Sequence, residues 1–142
     1  MNLNPMYGTL DISTSGLIAQ RTRLQSISAN IANQDTYTDA SGRNVPFARR
    51  VVYFAPGDPN SRNAETRRLG VHVASIGQDR SHTFKWDPDN PLADQNGNIK
   101  YPDINPTFEM INYMEASRAY EANLVAAEAS KTMMAQALRL LA

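Results

Sequence analysis

Residues 106–142 read PTFEMINYMEASRAYEANLVAAEASKTMMAQALRLLA, and their periodicity decides the fold. Counted in sevens, Met110, Ser117, Leu124, Lys131 and Leu138 fall at one position, and Tyr113, Tyr120, Ala127, Met134 and Leu141 at the other. That is the apolar spacing of a coiled coil, interrupted only by Ser117 and Lys131. Glu128, three residues before Lys131, can pair with it across one turn. Asn105-Pro106 supplies the start. Asparagine caps the helix, and proline stands at the first helical position, where its missing N–H is no loss. Glu109 in the first turns and Arg139 in the last both suit the helix dipole. At ~1.5 Å per residue the helix is roughly 50 Å long, which exceeds the body of a small globular domain. A helix of that length needs another helix beside it.

The other end of the chain provides one. Leu3, Leu10, Leu17, Leu24 and Ile31 stand seven apart, with Ile27 at the companion position. A first helix is predicted from about Met6–Thr9 to about Asn33. Gly16 inside it is either a tolerated glycine, costing ~1 kcal/mol against alanine, or a point of close approach to a neighbouring helix. Arg23, Ser26, Asn30 and Asn33 share a face beside the apolar stripe. Asparagine gains a helix nothing intrinsically. Asn33 is therefore assigned to ending the helix and Asn30 to a helix–helix contact that fixes register.

Between the two helices the pattern changes. Val45 to Phe54 alternates as a strand that starts at an edge because of Pro46. Leu69, Val71 and Val73 form a second strand reaching toward Ile76, and Ser81 to Trp86 a third. Turn signals separate them at Ser41-Gly42, Pro56-Gly57-Asp58-Pro59 and Asn96-Gly97. Asp87 to Pro106, rich in Asp, Asn and Pro, reads as an ordered linker. The predicted fold is mainly α with a small β-rich middle: long N- and C-terminal helices pair as a coiled coil, with short strands inserted between them. Its parts are an N-terminal helix over 1–34, the β-rich middle over 35–86, a linker over 87–105 and the C-terminal helix over 106–142.

Composition excludes several function classes. The chain has 142 residues and a formal net charge of zero, so nothing draws it globally toward nucleic acid or lipid. Its hydrophobic fraction of 42% is enough for a folded core. There is no cysteine, which removes disulfides, thiolate zinc sites and thiol nucleophiles together. No run of ~20 apolar residues spans a bilayer. The first residues lack the basic start and apolar core of a Sec-type signal, so export, if any, is expected to proceed without a cleaved signal peptide. His72 and His82 stand at no metal-ligand spacing. There is no phosphate loop and no nucleophile elbow. No catalytic residue, cofactor or metal is expected, and the chain is predicted not to be an enzyme. Arg49-Arg50 and Arg67-Arg68 alternate across a strand, which suits solvated charges or inter-subunit contacts better than a nucleic-acid groove. Glu109 reads as an ordinary helix-face charge.

The two ends also carry a resemblance. Ser15-Gly16-Leu17, Ala19-Gln20-Arg21, Arg23-Leu24 and Ile27-Ser28-Ala29-Asn30-Ile31-Ala32-Asn33 resemble the N-terminal signature of bacterial flagellar axial proteins, the rod and hook family. Tyr101-Pro102-Asp103-Ile104-Asn105-Pro106, Glu109-Met110 and Asn112 through Asn123 resemble that family's C-terminal signature. The ending, Ala129 to Met134 and Ala137 to Leu141, is similar to the small C-type subunits of the proximal rod. Many axial proteins follow the helix with a Thr-Pro-Gly turn. Here Gln34-Asp35-Thr36-Tyr37-Thr38 stands instead, as suits the C-type. The resemblance implies a structural subunit of the basal-body rod in the periplasmic space. It would assemble helically with copies of itself and other rod subunits, and meet the motor base and the flagellar export apparatus during assembly. It would transmit torque and let exported subunits pass. No nucleic acid and no membrane insertion are implied.

The expected assembly interface comprises Leu10, Leu17, Leu24, Ile27, Asn30, Ile31 and Asn33 on the first helix. On the last it comprises Met110, Tyr113, Tyr120, Leu124, Met134, Leu138 and Leu141. The rival reading is a soluble coiled-coil adaptor joining unrelated proteins, which would remain a discrete oligomer.

Overall fold

In the computed structural model, which describes residues 4–57, 59 and 64–141, two long helices flank a small β-rich middle. Helix α1 spans Asn4–Ala32. It begins earlier than the sequence implies because Pro5 is tolerated in a first turn, where its N–H would have no partner. Strand β1 (Arg49–Pro56) is followed by a short helix α2 (Ala64–Leu69) and strand β2 (Val71–Asp79). Strands β3 (His82–Trp86) and β4 (Asn98–Pro102) precede helix α3 (Pro106–Leu141). Asn105 caps α3 as expected: its Oδ1 accepts the N–H of Thr107 at 2.9 Å and of Phe108 at 3.4 Å.

The middle departs from expectation in three ways. First, β1 starts at Arg49 and not at Val45. The segment before it is bound to its own loop, with Val45 N–H donating to Arg43 O at 2.8 Å and Phe47 N–H to Thr36 O at 2.9 Å. Second, Leu69 ends a helix and does not start a strand, so Arg67 and Arg68 lie on that helix and the strand-alternation argument does not apply to them. Gly70 follows, and its carbonyl accepts the Gly57 N–H at 2.5 Å. Gly57 has φ +87°, and a Cβ there would stand 2.5 Å from Arg67 O, so only glycine fits. Third, the predicted linker contains β4. Asp87–Gly97 is the loop of a β3–β4 hairpin, with Asp94 Oδ1 accepting the N–H groups of Asn96 and Asn98. Three strands were read from the sequence, and four are present among the described residues. Two antiparallel two-stranded sheets form, β1–β2 and β3–β4.

The helices lie against each other, and the contacts that set their pairing are small and polar. Gly16 faces Asn123, where an added Cβ would come 2.8 Å from Nδ2. Arg23 meets Glu115 at 3.2 Å and Asn30 meets Glu109 at 3.1 Å. As the α1 numbers rise the α3 numbers fall, so the pair is antiparallel. The buried row on α1 is small and polar, with Gly16, Ala19, Ser26 and Asn30. On α3 it includes Glu109 and Ala116, the latter 0% exposed. Close approach of two backbones through small residues explains why Gly16 stands inside a helix despite its propensity cost. Among the described residues the other buried large aliphatic side chains are Ile27 on α1, Ile99 on β4 and Ile104 before α3.

Candidate assembly interface

A polar junction ties the three parts together. Asn30, 1% exposed, presents its amide to β1 as a strand neighbour would. Its Oδ1 accepts the Arg50 N–H at 2.8 Å, and its Nδ2 donates to Arg50 O at 2.9 Å. Nδ2 also donates to Glu109 Oε2 at 3.1 Å, so every donor and the acceptor of the amide are used. Arg49 holds the other carboxylate oxygen, through Nε at 2.8 Å and a terminal nitrogen at 2.6 Å. Glu109 is 2% exposed, and a carboxylate so buried is stable only when paired and hydrogen-bonded.

Two sequence readings are thereby corrected. Glu109 is a buried structural carboxylate and not an ordinary surface charge. Arg49 is its intramolecular partner and not a solvated cation. Arg50, on the opposite face as strand alternation requires, is exposed with its guanidinium 5.7 Å from the Phe47 ring. Asn44 repeats the Asn30 device on the second sheet: its amide accepts the Lys100 N–H at 3.1 Å and donates to Lys100 O at 3.0 Å. Ser15 adds a third tie, its Oγ accepting the Val71 N–H at 3.1 Å.

The expected interface residues divide by exposure. Leu10, Leu17, Leu24 and Ile31 are half-buried, and Ile27 and Asn30 are buried within the chain. Asn33 is half-buried and closes α1. Its N–H reaches Ala29 O at 3.1 Å, its Nδ2 the same oxygen at 2.8 Å, and its Oδ1 accepts from Thr36. On α3 one seam position, Tyr120 and Met134, flanks the helix contact half-buried. The other, Met110, Leu124 and Leu138, is 51%, 41% and 50% exposed, and Tyr113 stands between the two at 37%. Leu3 lies outside the described residues, as do the surroundings of the Leu141 side chain. Ile18, Ile111, Met114 and Val125, absent from the expected set, are equally exposed. They fall off the seven-residue count, which is why it missed them.

His72 Nδ1 lies 2.7 Å from Gly57 O, and His82 packs edge-on against Phe84 at 5.2 Å. Among the described residues no three His, Cys, Asp or Glu side chains gather as metal ligands, and no helix is long and apolar enough to cross a membrane.

Residues 10–37 match the flagella basal body rod protein family, and residues 95–140 match the C-terminal family of flagellar basal body rod FlgEFG proteins. Flagellar basal-body rod protein FlgC of Salmonella typhimurium is 37% identical over 137 residues, covering 95% of this chain and 97% of that protein. The chain belongs to the FlgC family of flagellar basal-body rod proteins. The FlgC proteins of Agrobacterium fabrum (35% identical, 98% of this chain and 97% of that protein) and Bacillus subtilis (33%, 94% and 97%) are similar along nearly their whole length. The matched family segments fall on α1 and on the stretch from the β3–β4 loop through α3, the parts that carry the exposed apolar rows and the Asn30–Glu109 contact. The adaptor reading finds no support among these relatives.

Proposed function

We propose that this chain is a structural subunit of the flagellar rod whose terminal helices pack against those of neighbouring subunits. The observation that carries the reading is the division of α3 into two faces. A small and polar face pairs with α1 inside the chain, and an apolar face with Met110, Leu124 and Leu138 stays open to solvent. Apolar rows of that length mark an interface. Contacts between unlike patches on identical chains propagate into open helical stacks. Coiled-coil packing belongs to this assembled state, where the exposed α3 seam meets helices of adjacent copies and of other rod subunits. The subunit's site is the proximal rod in the periplasmic space, reached through the flagellar export apparatus. Torque transmission through such a stack needs many stiff contacts and no chemistry.

The test is imaging of basal bodies from cells lacking the chain, complemented with the native sequence or with Leu124→Asp or Leu138→Asp. Loss of the rod in the deletion, rescue by the native chain and failure of both aspartate variants are expected. Intact rods in the deletion strain would refute the assignment.

A further inference from the structure

The β3–β4 hairpin and the junction beside Asn30 are chemically matched to each other, yet lie apart in the chain. At the hairpin tip Trp86 is 74% exposed. Gly97 lies beneath its indole, since a Cβ added there would stand 3.2 Å from Nε1 and 3.1 Å from the Pro88 side chain. Asp87 and Asp89 follow it, and no ion pair is made by either among the described residues. The tip is the end of the hairpin away from α3, about 13 Å along the strands from Pro102. An exposed tryptophan followed by two carboxylates is suited to anchor an interface.

A cleft of ≈ 330 Å³ opens between α1, β1 and the start of α3. Ile27, Val52 and Phe54 contribute apolar surface, and Arg23, Arg49 and Arg50 surround it. Glu109, the carboxylate in the lining, is already bonded to Arg49 and Asn30. Arg49 is paired with Glu109 and Arg23 with Glu115, so the cleft keeps one uncompensated positive charge, that of Arg50, which a carboxylate of the tip would balance. Arg50 makes no ion pair of its own among the described residues.

We propose that the Trp86 tip of one copy, with Asp87 and Asp89, docks into the Arg23–Arg49–Arg50 cleft of a neighbouring copy. The proposal rests on the rod reading and adds a specific lateral contact to it. Tip and cleft are unlike surfaces, so the contact is heterologous and repeats from subunit to subunit. Charge complementarity fixes its register, and the indole supplies the buried anchor.

The chain has no cysteine, so introduced pairs report without background. Val52→Cys and Asp89→Cys, combined in the full chain and expressed in cells lacking the native copy, should give disulfide-linked dimers and higher multiples when isolated basal bodies are mildly oxidised. Either single variant should give none. Chain that is present in basal bodies but stays monomeric, or links to a different rod protein, overturns the proposal and leaves the rod reading intact. The native chain missing from basal bodies would sink the rod reading itself. A charge exchange provides an arm free of cysteine. Arg50→Glu alone and Asp89→Arg alone should each lower recovery of the chain in basal bodies about tenfold, and the double variant should return it to within about twofold of native. A double variant no better than the singles also overturns the contact.

Discussion

Asn30 shows how much one side chain can decide. It closes a rung with β1 and reaches Glu109 on α3, so the end of α1, the start of β1 and the first turn of α3 share one hydrogen-bond set. The ion pair within that set is asymmetric. The Glu109 side chain is 2% exposed and that of Arg49 is 31%. Removing the arginine strands a buried carboxylate, whereas removing the carboxylate frees an arginine that can turn to water. Arg49→Met is therefore expected to cost about 3 kcal/mol, the scale for breaking a buried pair from its less buried side. Glu109→Gln should cost about 1 kcal/mol, the scale of one hydrogen bond. Urea melts of the two variants give the comparison, and equal losses would contradict it. Asn30 was legible in the sequence because asparagine is a poor helix former with no local reason to be there. Glu109 was not, since its partner Arg49 is 60 residues away and a glutamate in a first turn already has an adequate local explanation.

At the scale of elements, the α1–α3 contact depends on small side chains. Gly16→Ala gains ~1 kcal/mol of helix propensity. Its new methyl meets the Asn123 amide, which is bonded to Ala119 O at 3.0 Å and must shift. The two effects offset, and a change within about 1 kcal/mol is expected. Gly16→Leu cannot be absorbed and should lose about 2 kcal/mol by overpacking, seen as a lowered thermal midpoint. Neutral behaviour of the leucine variant would show that the helices do not approach there. A glycine within a helix announced this contact, but its partner lies more than a hundred residues away. The strands were legible less evenly. β2 and β3 alternate and were placed within two residues of their starts. β4 was taken for linker because Asp, Asn and Pro surround it, although Asn96-Gly97 is a hairpin signal. The turn into β3 also carries a pH dependence. Asp79 is held below the ordinary carboxylate range by the Ser81 hydroxyl and then by the Ser81 N–H. A carboxyl lowered in the folded state adds stability above its unfolded value, and that stability is lost as pH falls through the folded one. Carboxyl-carbon NMR titration should place Asp79 below an unfolded reference, and Ser81→Ala should move it upward. An Asp79 that titrates alike in both proteins would remove this turn from the acid response.

The whole molecule is two long helices joined by small sheets, and its described residues bury few large apolar side chains. Seven-residue counting found both helices, yet it could not say which face of each would pair within the chain. The deciding residues, Gly16, Ala19, Ser26 and Ala116, are small and carry little hydrophobic signal. The central claim is that the open α3 seam is covered by neighbours on assembly while the small-residue face is already covered within each copy. Accessibility of single cysteines tests this most directly. Met110→Cys, Leu124→Cys, Leu138→Cys and Ala116→Cys, one at a time, are labelled with a maleimide in dilute purified chain and again in isolated basal bodies. Rapid labelling of the three seam positions is expected in the free chain, with protection of all three in basal bodies and protection of position 116 in both. Equal labelling of the seam in free and assembled protein would contradict it.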